Sequence, residues 1–298
     1  MESDPRQEAL VPMKLHITYD NPIPINAFEW TPAAHRQPPH VHESLEIGLC
    51  LSGKGIFFFG NKRYEAGPGD LFLVNGEEPH IAQADPADPS RYLFINFDAA
   101  LLLQEEPCLL LPFSYRAAHF CNHIPGGSAL ARQLAPWMLA VAEEFQEKAP
   151  GYQAMAKSAL IQLCGRLLRH YNDQLTDEER SGMVQSARHA QALAALVEQR
   201  YREPVSLKEL AAVLGLSVSR VSRAFLEATG YHFSEYVSLL RVQSAKRDLA
   251  GTDKTVAEIA FDCGFQSLAT FYRIFNEKVG MSPNAYRQSG GNFSESKK

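Results

Sequence analysis

The feature that most constrains this chain is a repeat within it. The segment VSLKELAAVLGLSVSRVSRAFLEATGYHFSEY, starting at Val205, pairs with TVAEIAFDCGFQSLATFYRIFNEKVGMSPNAY, starting at Thr255. Glu209, Ala211 and Gly215 recur as Glu258, Ala260 and Gly264 at an offset of 49. After one extra residue in the second copy, Arg223, Phe225, Glu227, Gly230 and Tyr236 recur as Arg273, Phe275, Glu277, Gly280 and Tyr286 at an offset of 50. One supersecondary unit is therefore used twice.

Each copy has the physical marks of a helix-turn-helix. Ser206 with Glu209, and Thr255 with Glu258, have the spacing of a capping box that starts a first helix. Ala211 and Ala260 are small where a second helix must cross, and Gly215 and Gly264 can take positive φ where the first helix ends. Phe225 and Phe275 anchor the second helices, expected over Ser217–Leu226 and Ser267–Asn276. Their outward positions are Ser219, Arg220, Ser222 and Arg223 in the first copy, and Leu268, Ala269, Thr270 and Arg273 in the second. Such side chains suit phosphates, guanine edges and thymine methyls. A connecting helix over Ser234–Leu249 would span about 24 Å at ~1.5 Å per residue, and two readers held rigidly by it could enter successive major-groove turns, about 34 Å apart.

The N-terminal half has a different period. From Leu15 to Phe97, short apolar runs (LEIGLCL, GIFFFG, LFLV, RYLFINF) are divided by turn-rich stretches such as SGKG, NKRYEAGPGD and NGEEPH. This pattern predicts an all-β sandwich or barrel. His40, His42, Glu46 and Gly53 give H-x-H-x3-E-x6-G, followed by Gly67-Pro68-Gly69-Asp70 and His80. Alternate residues of a strand share a face, so His40, His42 and Glu46 can point into one lumen, with Phe57, Phe59, Tyr92, Phe94 and Asn96 as further lumen candidates. Half of the aromatic positions should simply be core, and the sequence does not choose a ligand for the rest.

From Ser128 the period becomes helical, with Leu130, Leu134, Met138, Val141 and Phe145 on one face and Met155, Ala159, Leu163 and Leu167 on another. Pro136 predicts a late start or a kink in the first of these helices. The polar stretch Asn172–Gly182 reads as a linker. The net charge of −5 hides an asymmetry: residues 1–185 carry 14 Lys and Arg against 23 Asp and Glu, whereas residues 186–290 carry 13 against 10. A basic excess in the repeat half removes an objection to nucleic-acid binding. Five scattered cysteines suggest neither a disulfide framework nor a zinc cluster, and a reducing cytosol is the expected setting. No signal peptide or membrane span is expected, and no P-loop, nucleophile elbow or dinucleotide fingerprint occurs.

On these residues, Val205–Arg287 closely resembles the DNA-binding domain of AraC/XylS-type regulators, including the closing GMSPNAYR, which follows the family's G-x-x-P-x-x-Y-R pattern. The N-terminal pattern resembles a cupin, a small double-stranded β-helix barrel that such regulators often carry as an effector domain. The resemblance implies a multi-domain chain: an all-β cupin-like barrel with two helices, then an all-α domain with two helix-turn-helix motifs. The expected divisions are an effector-binding domain at 1–125, a helical dimerisation segment at 126–172, a linker at 173–186 and the DNA-binding domain at 187–290.

By matching positions, Arg220, Ser222, Arg223, Ala269, Thr270 and Arg273 inherit a DNA-contact role, and Ser219 joins them as an outward neighbour. His40, His42, Glu46, His80, Phe57 and Tyr92 are the effector-pocket candidates. The four His and Glu residues match the ligand set of metal-binding cupins, although regulators of this type commonly keep that pattern without a catalytic metal. They are pocket candidates first and ligands second, and no cofactor is expected. The implied function is a cytoplasmic, non-enzymatic transcription activator. It would be a homodimer through the two helices, partnered by promoter DNA and RNA polymerase and controlled by a small molecule, for which a carbohydrate is one suitable class. The alternative is a metal-dependent cupin enzyme fused to a DNA reader.

Overall fold

The computed structural model describes residues 12–15, 17–19, 23–75, 78–113, 121–173, 176–229 and 231–288. Gly230, one of the repeat positions above, lies outside them. The chain divides into two units, residues 1–181 and 182–298.

Among the described residues the first unit has ten strands: β1 (Met13–Lys14), β2 (Ile25–Trp30), β3 (His40–Val41), β4 (Leu45–Ser52), β5 (Gly55–Phe59), β6 (Lys62–Ala66), β7 (Leu71–Val74), β8 (His80–Ala84), β9 (Arg91–Phe97) and β10 (His123–Ile124). They form two five-stranded sheets, ordered β1-β3-β8-β5-β6 and β10-β7-β4-β9-β2. Rings from both sheets interleave between them: Phe57 of β5 stacks on Phe72 of β7 at 4.7 Å and meets Tyr92 of β9 edge-on at 5.9 Å. This is the cupin-like architecture.

Period two gives the second sheet two buried faces. The register aligns Glu46, Val74 and Asn96 in one row, Ile47, Leu73 and Ile95 in the next, and Gly48, Phe72 and Phe94 in the third. The first and third rows line the interior; the middle row faces the helices. Gly48 is required there, because a Cβ would come within 2.5 Å of the Phe94 ring. The outer face is covered by α1 (Ala99–Glu105), a 3-10 helix (Pro107–Phe113), α2 (Ala129–Glu147) and α3 (Tyr152–Asn172), with Phe97 edge-on to Phe113 at 5.5 Å.

Four details differ from the sequence reading. KRYEA, taken as part of a turn stretch, is strand β6, an edge strand whose outward residues are charged and therefore carry no apolar signal. Pro136 does not delay α2, which starts at Ala129 with Ser128 accepting from the Ala131 N–H at 3.0 Å. Met155 is 58% exposed, and the buried face of α3 is Ala156, Ala159, Leu160, Leu163, Cys164 and Leu167. Much of the 173–186 stretch is helical, since α4 (Asp177–Arg200) starts within it. The local reason is a reciprocal cap, in which Glu179 accepts from the Thr176 N–H at 3.0 Å and donates its own N–H to Thr176 at 3.3 Å.

Among its described residues the second unit is all-helical, with α5 (Leu207–Val213), α6 (Val218–Thr229), α7 (Phe233–Gly251), α8 (Val256–Asp262), α9 (Leu268–Val279) and α10 (Pro283–Gln288) following α4. The two repeat copies are α5–α6 and α8–α9. Phe225 packs on Tyr236 at 5.1 Å in the first, and Phe275 on Tyr286 at 5.8 Å in the second. α7 runs 19 residues, about 28 Å at ~1.5 Å per residue. No helix among the described residues is long and apolar enough to cross a membrane.

Candidate functional site

In each repeat copy a short first helix buries its alanine, Ala211 or Ala260, and turns at a glycine with positive φ, +66° at Gly215 and +91° at Gly264. The second helix is capped by a serine. Arg220 N donates to Ser217 Oγ at 3.3 Å, and Thr270 N donates to Ser267 Oγ at 3.2 Å. Burial of Val221, Ala224 and Phe225 on α6, and of Phe271, Phe275 and Val279 on α9, turns the opposite faces outward.

Those faces carry the residues named from sequence. Ser219, Arg220 and Arg223 are exposed on α6 and Ser222 is half-buried; Ala269, Thr270 and Arg273 are exposed on α9. Leu268 leads α9, also exposed. Thr270 Oγ1 accepts from Ser267 Oγ at 2.9 Å, and Arg273 pairs with Glu277 at 3.4 Å. The arrangement offers hydroxyls, guanidinium groups and small apolar side chains at the starts of two helices, which is what a major-groove reader presents.

In the first unit, cross-strand register sets His40 of β3 opposite His80 of β8, and His42 follows two residues on. Their rings lie close, His40–His80 at 4.3 Å and His42–His80 at 4.9 Å between centroids. Glu46 reaches them from β4, with Oε2 at 3.5 Å from His42 Nε2 and Oε1 at 3.9 Å from His80 Nε2. His42, Glu46 and His80 are buried and His40 is half-buried. Asn96 Nδ2, next to Glu46 in the register, donates to Glu46 Oε2 at 2.6 Å.

The charges follow from this geometry. Burial alone would push His42 down, but the contact with Glu46 and its charge outweigh burial, and His42 is raised. Burial would likewise push Glu46 up, yet His42, His80 and Asn96 hold its carboxyl below the ordinary value. His80 is lowered to about 3, by burial first and then by the neighbouring histidines, against the pull of Glu46. His40 is lowered by burial, partly offset by Glu46.

The structure thus brings His40, His42, Glu46 and His80 together. Phe57 and Tyr92 lie deeper: Phe57 stacks at 6.5 Å from His80, and both rings belong to the packed core with Phe59, Phe72 and Phe94. A second polar group escaped the sequence reading. Lys62 pairs with Glu78 at 2.6 Å, and Asn122 donates to Glu78 at 2.7 Å. Asn122 is 44 residues from Glu78, and no spacing rule connects them.

A two-sheet β unit with a buried His and Glu cluster, followed by two exposed, capped second helices, is the arrangement of a DNA-binding regulator with a separate N-terminal domain. Residues 22–164 match the AraC-like ligand binding domain, and residues 210–289 match a helix-turn-helix domain. The chain belongs to the AraC family of transcription regulators. It is similar to the HTH-type transcriptional activator RhaR of Klebsiella pneumoniae, 26% identical over 84% of this chain and 86% of that protein. It is also similar to an uncharacterized HTH-type regulator of Staphylococcus aureus, 24% identical over 82% of this chain. The chain spans only 31% of the length of that relative. Among solved structures, ToxT of Vibrio cholerae covers 89% of this chain and 97% of its own at 14% identity, with a TM-score of 0.43.

Proposed function

We propose that this chain is an effector-controlled transcription activator of the cytoplasm. Residues 126–172 serve as its dimerisation segment, the barrel at 1–125 as its effector domain, 173–186 as the joint and 187–290 as the DNA reader. The observation that carries the reading is the pair of outward helix starts on α6 and α9, in a chain that also holds a ligand-binding barrel. Ser219, Arg220, Ser222 and Arg223 read one half-site, and Ala269, Thr270 and Arg273 read the next. Exposed Leu139 on α2 and Met155 on α3 give the helical pair apolar surface for a second copy. The effector enters the barrel near His40, His42, Glu46 and His80, with Phe57 and Tyr92 behind them. It acts by binding the two DNA-reading states unequally. RNA polymerase is the partner of the DNA-bound form.

The test is selection of binding sites from a random double-stranded pool by the full chain, followed by affinity measurements on the recovered sequence. Arg220→Ala and Arg273→Ala should each weaken binding at least several-fold. A small molecule that stabilises the barrel, a sugar for instance, should change DNA affinity. Recovery of no preferred sequence, or affinities untouched by both arginine substitutions, would overturn the reading.

A further inference from the structure

In the helical unit, α7 joins the two repeat copies, and each copy is tied to one end of it. Phe225 of the first copy packs on Tyr236 near the start of α7. Arg287, beyond the second copy, reaches its end, donating from Nε to the Leu249 carbonyl at 3.4 Å and from Nη2 to that of Lys254 at 2.6 Å. Ties at the two ends of a helix leave each copy able to turn about its own end.

A third contact removes that freedom. Arg241, half-buried in the middle of α7, donates from Nε to the Tyr201 carbonyl at 2.7 Å and from Nη2 to the Glu203 carbonyl at 2.9 Å. Both carbonyls belong to the turn between α4 and α5, which leads into the first copy. The same guanidinium lies 5.9 Å from the centre of the Phe265 ring, a core residue of the second copy just beyond its glycine turn. Between the two carbonyls, Arg202 extends the joint. Its Nη2 donates to Ser244 Oγ of α7 at 3.2 Å, and its carbonyl oxygen lies 2.6 Å from where a Cβ at Gly264 would stand. The turn that leads into the first copy therefore rests directly on the turn of the second.

A guanidinium suits this joint. Its donors form a planar fork, so bonds to carbonyls two residues apart fix its orientation as well as its distance, which an ammonium with rotatable donors does not do. Burying a charge is costly, and such groups specify one arrangement better than they add stability. The arrangement specified here is that of α6 relative to α9. On DNA it matters, because moving a half-site by one base pair shifts it about 3.4 Å along the axis and, at about 10.5 base pairs per turn, rotates it by about 34°.

We propose that Arg241 is a positioning residue that sets the half-site spacing the chain accepts, by holding the turn before the first copy against the turn of the second. The inference rests on the reading of α6 and α9 as DNA readers.

The test uses the full chain and the DNA site recovered by selection: intact, with one base pair inserted or removed between the half-sites, and with one half-site scrambled. The parent should bind either respaced site about a hundredfold more weakly than the intact one, because one copy can no longer engage. In Arg241→Ala that ratio should fall to about tenfold, while affinity for DNA with a single half-site stays within about twofold of the parent's. Arg241→Lys, which keeps the charge and the stem beside Phe265, should move the ratio the same way and serves if the alanine variant fails to fold. An unchanged ratio in a folded variant would overturn the proposal. So would single half-site affinity falling in step with the whole site, since that is the mark of general destabilisation.

A measurement without DNA separates the two readings. The Gly264 and Phe265 N–H groups bond to the Phe261 and Ala260 carbonyls, and their exchange should be about fivefold faster in the variant, with exchange at Phe275 in α9 unchanged. Faster exchange in a chain that recovers no preferred DNA sequence supports the joint and counts against the DNA reading alone. A preferred sequence with spacing ratio and exchange both unchanged counts against Arg241 alone.

Discussion

The two helix-turn-helix copies, α5–α6 and α8–α9, solve one geometric problem with different margins. Both turn at a glycine of positive φ. At Gly215 an added Cβ would meet nothing within 4 Å, whereas at Gly264 it would meet the Arg202 carbonyl oxygen at 2.6 Å. The first copy thus needs glycine for its backbone angle alone; the second also needs it for close packing. Gly264→Ala combines left-handed strain of about 1–2 kcal/mol with an overlap of about 1–3 kcal/mol, against the strain alone for Gly215→Ala. Chemical unfolding of both variants should show the second copy losing more, by ~2 kcal/mol; equal losses would break the contrast.

The reading faces differ as well. Among the described residues Arg273 pairs with Glu277, while Arg223, at the matching position, forms no such pair with Glu227. Arg273 must give up an acidic partner before it meets a phosphate, so part of its contact energy is already spent. Arg223→Ala should therefore cost DNA affinity about 1–3 kcal/mol and lower the salt slope by ~1, and Arg273→Ala should cost less. The difference is small, because an exposed ion pair is worth at most about 1 kcal/mol. Glu277→Ala should tighten binding slightly. Tighter binding on Glu227→Ala, or a larger loss at Arg273 than at Arg223, would reverse the comparison.

Legibility in the sequence follows the same divide between local and long-range causes. The repeat was readable because its signals are local: caps three residues apart, glycines at helix ends, one aromatic anchor per copy. α9 runs to Val279, three residues beyond the expected Asn276, because Gly280 at φ +75° and not the last outward side chain ends it. In the barrel, period two puts His40, His42 and Glu46 on one lumen, whereas His80 joins them through the β3–β8 register and the anchoring of the rings lies in the Ser44 and Glu78 carbonyls. Backbone acceptors leave no mark on side-chain pattern. Strand β6 was missed because an edge strand with charged outward residues mimics a polar turn, and Met155 was misplaced because its neighbour Ala156 takes the buried position.

The finest contrast between the copies is at the start of the first helices. In α5, Ser206 Oγ accepts from the Glu209 N–H at 3.2 Å. In α8 the box is closed both ways: Thr255 Oγ1 accepts from the Glu258 N–H at 3.2 Å, and Glu258 Oε2 accepts from the Thr255 N–H at 2.7 Å and its hydroxyl at 2.8 Å. Thr255→Ala should cost about 1 kcal/mol, and Ser206→Ala a few tenths less. The Thr255 hydroxyl first, and its N–H second, hold the Glu258 carboxyl below its ordinary value. A carboxyl depressed in the folded state stabilises above its unfolded pKa and loses that contribution as pH falls through the folded value. Amide exchange in α8 should therefore be faster in Glu258→Gln than in the parent at pH 7, and the gap should narrow only between the ordinary carboxyl value of 4.5 and about pH 3. A gap that stays constant over that interval would mean that the cap works by shape alone, without its charge.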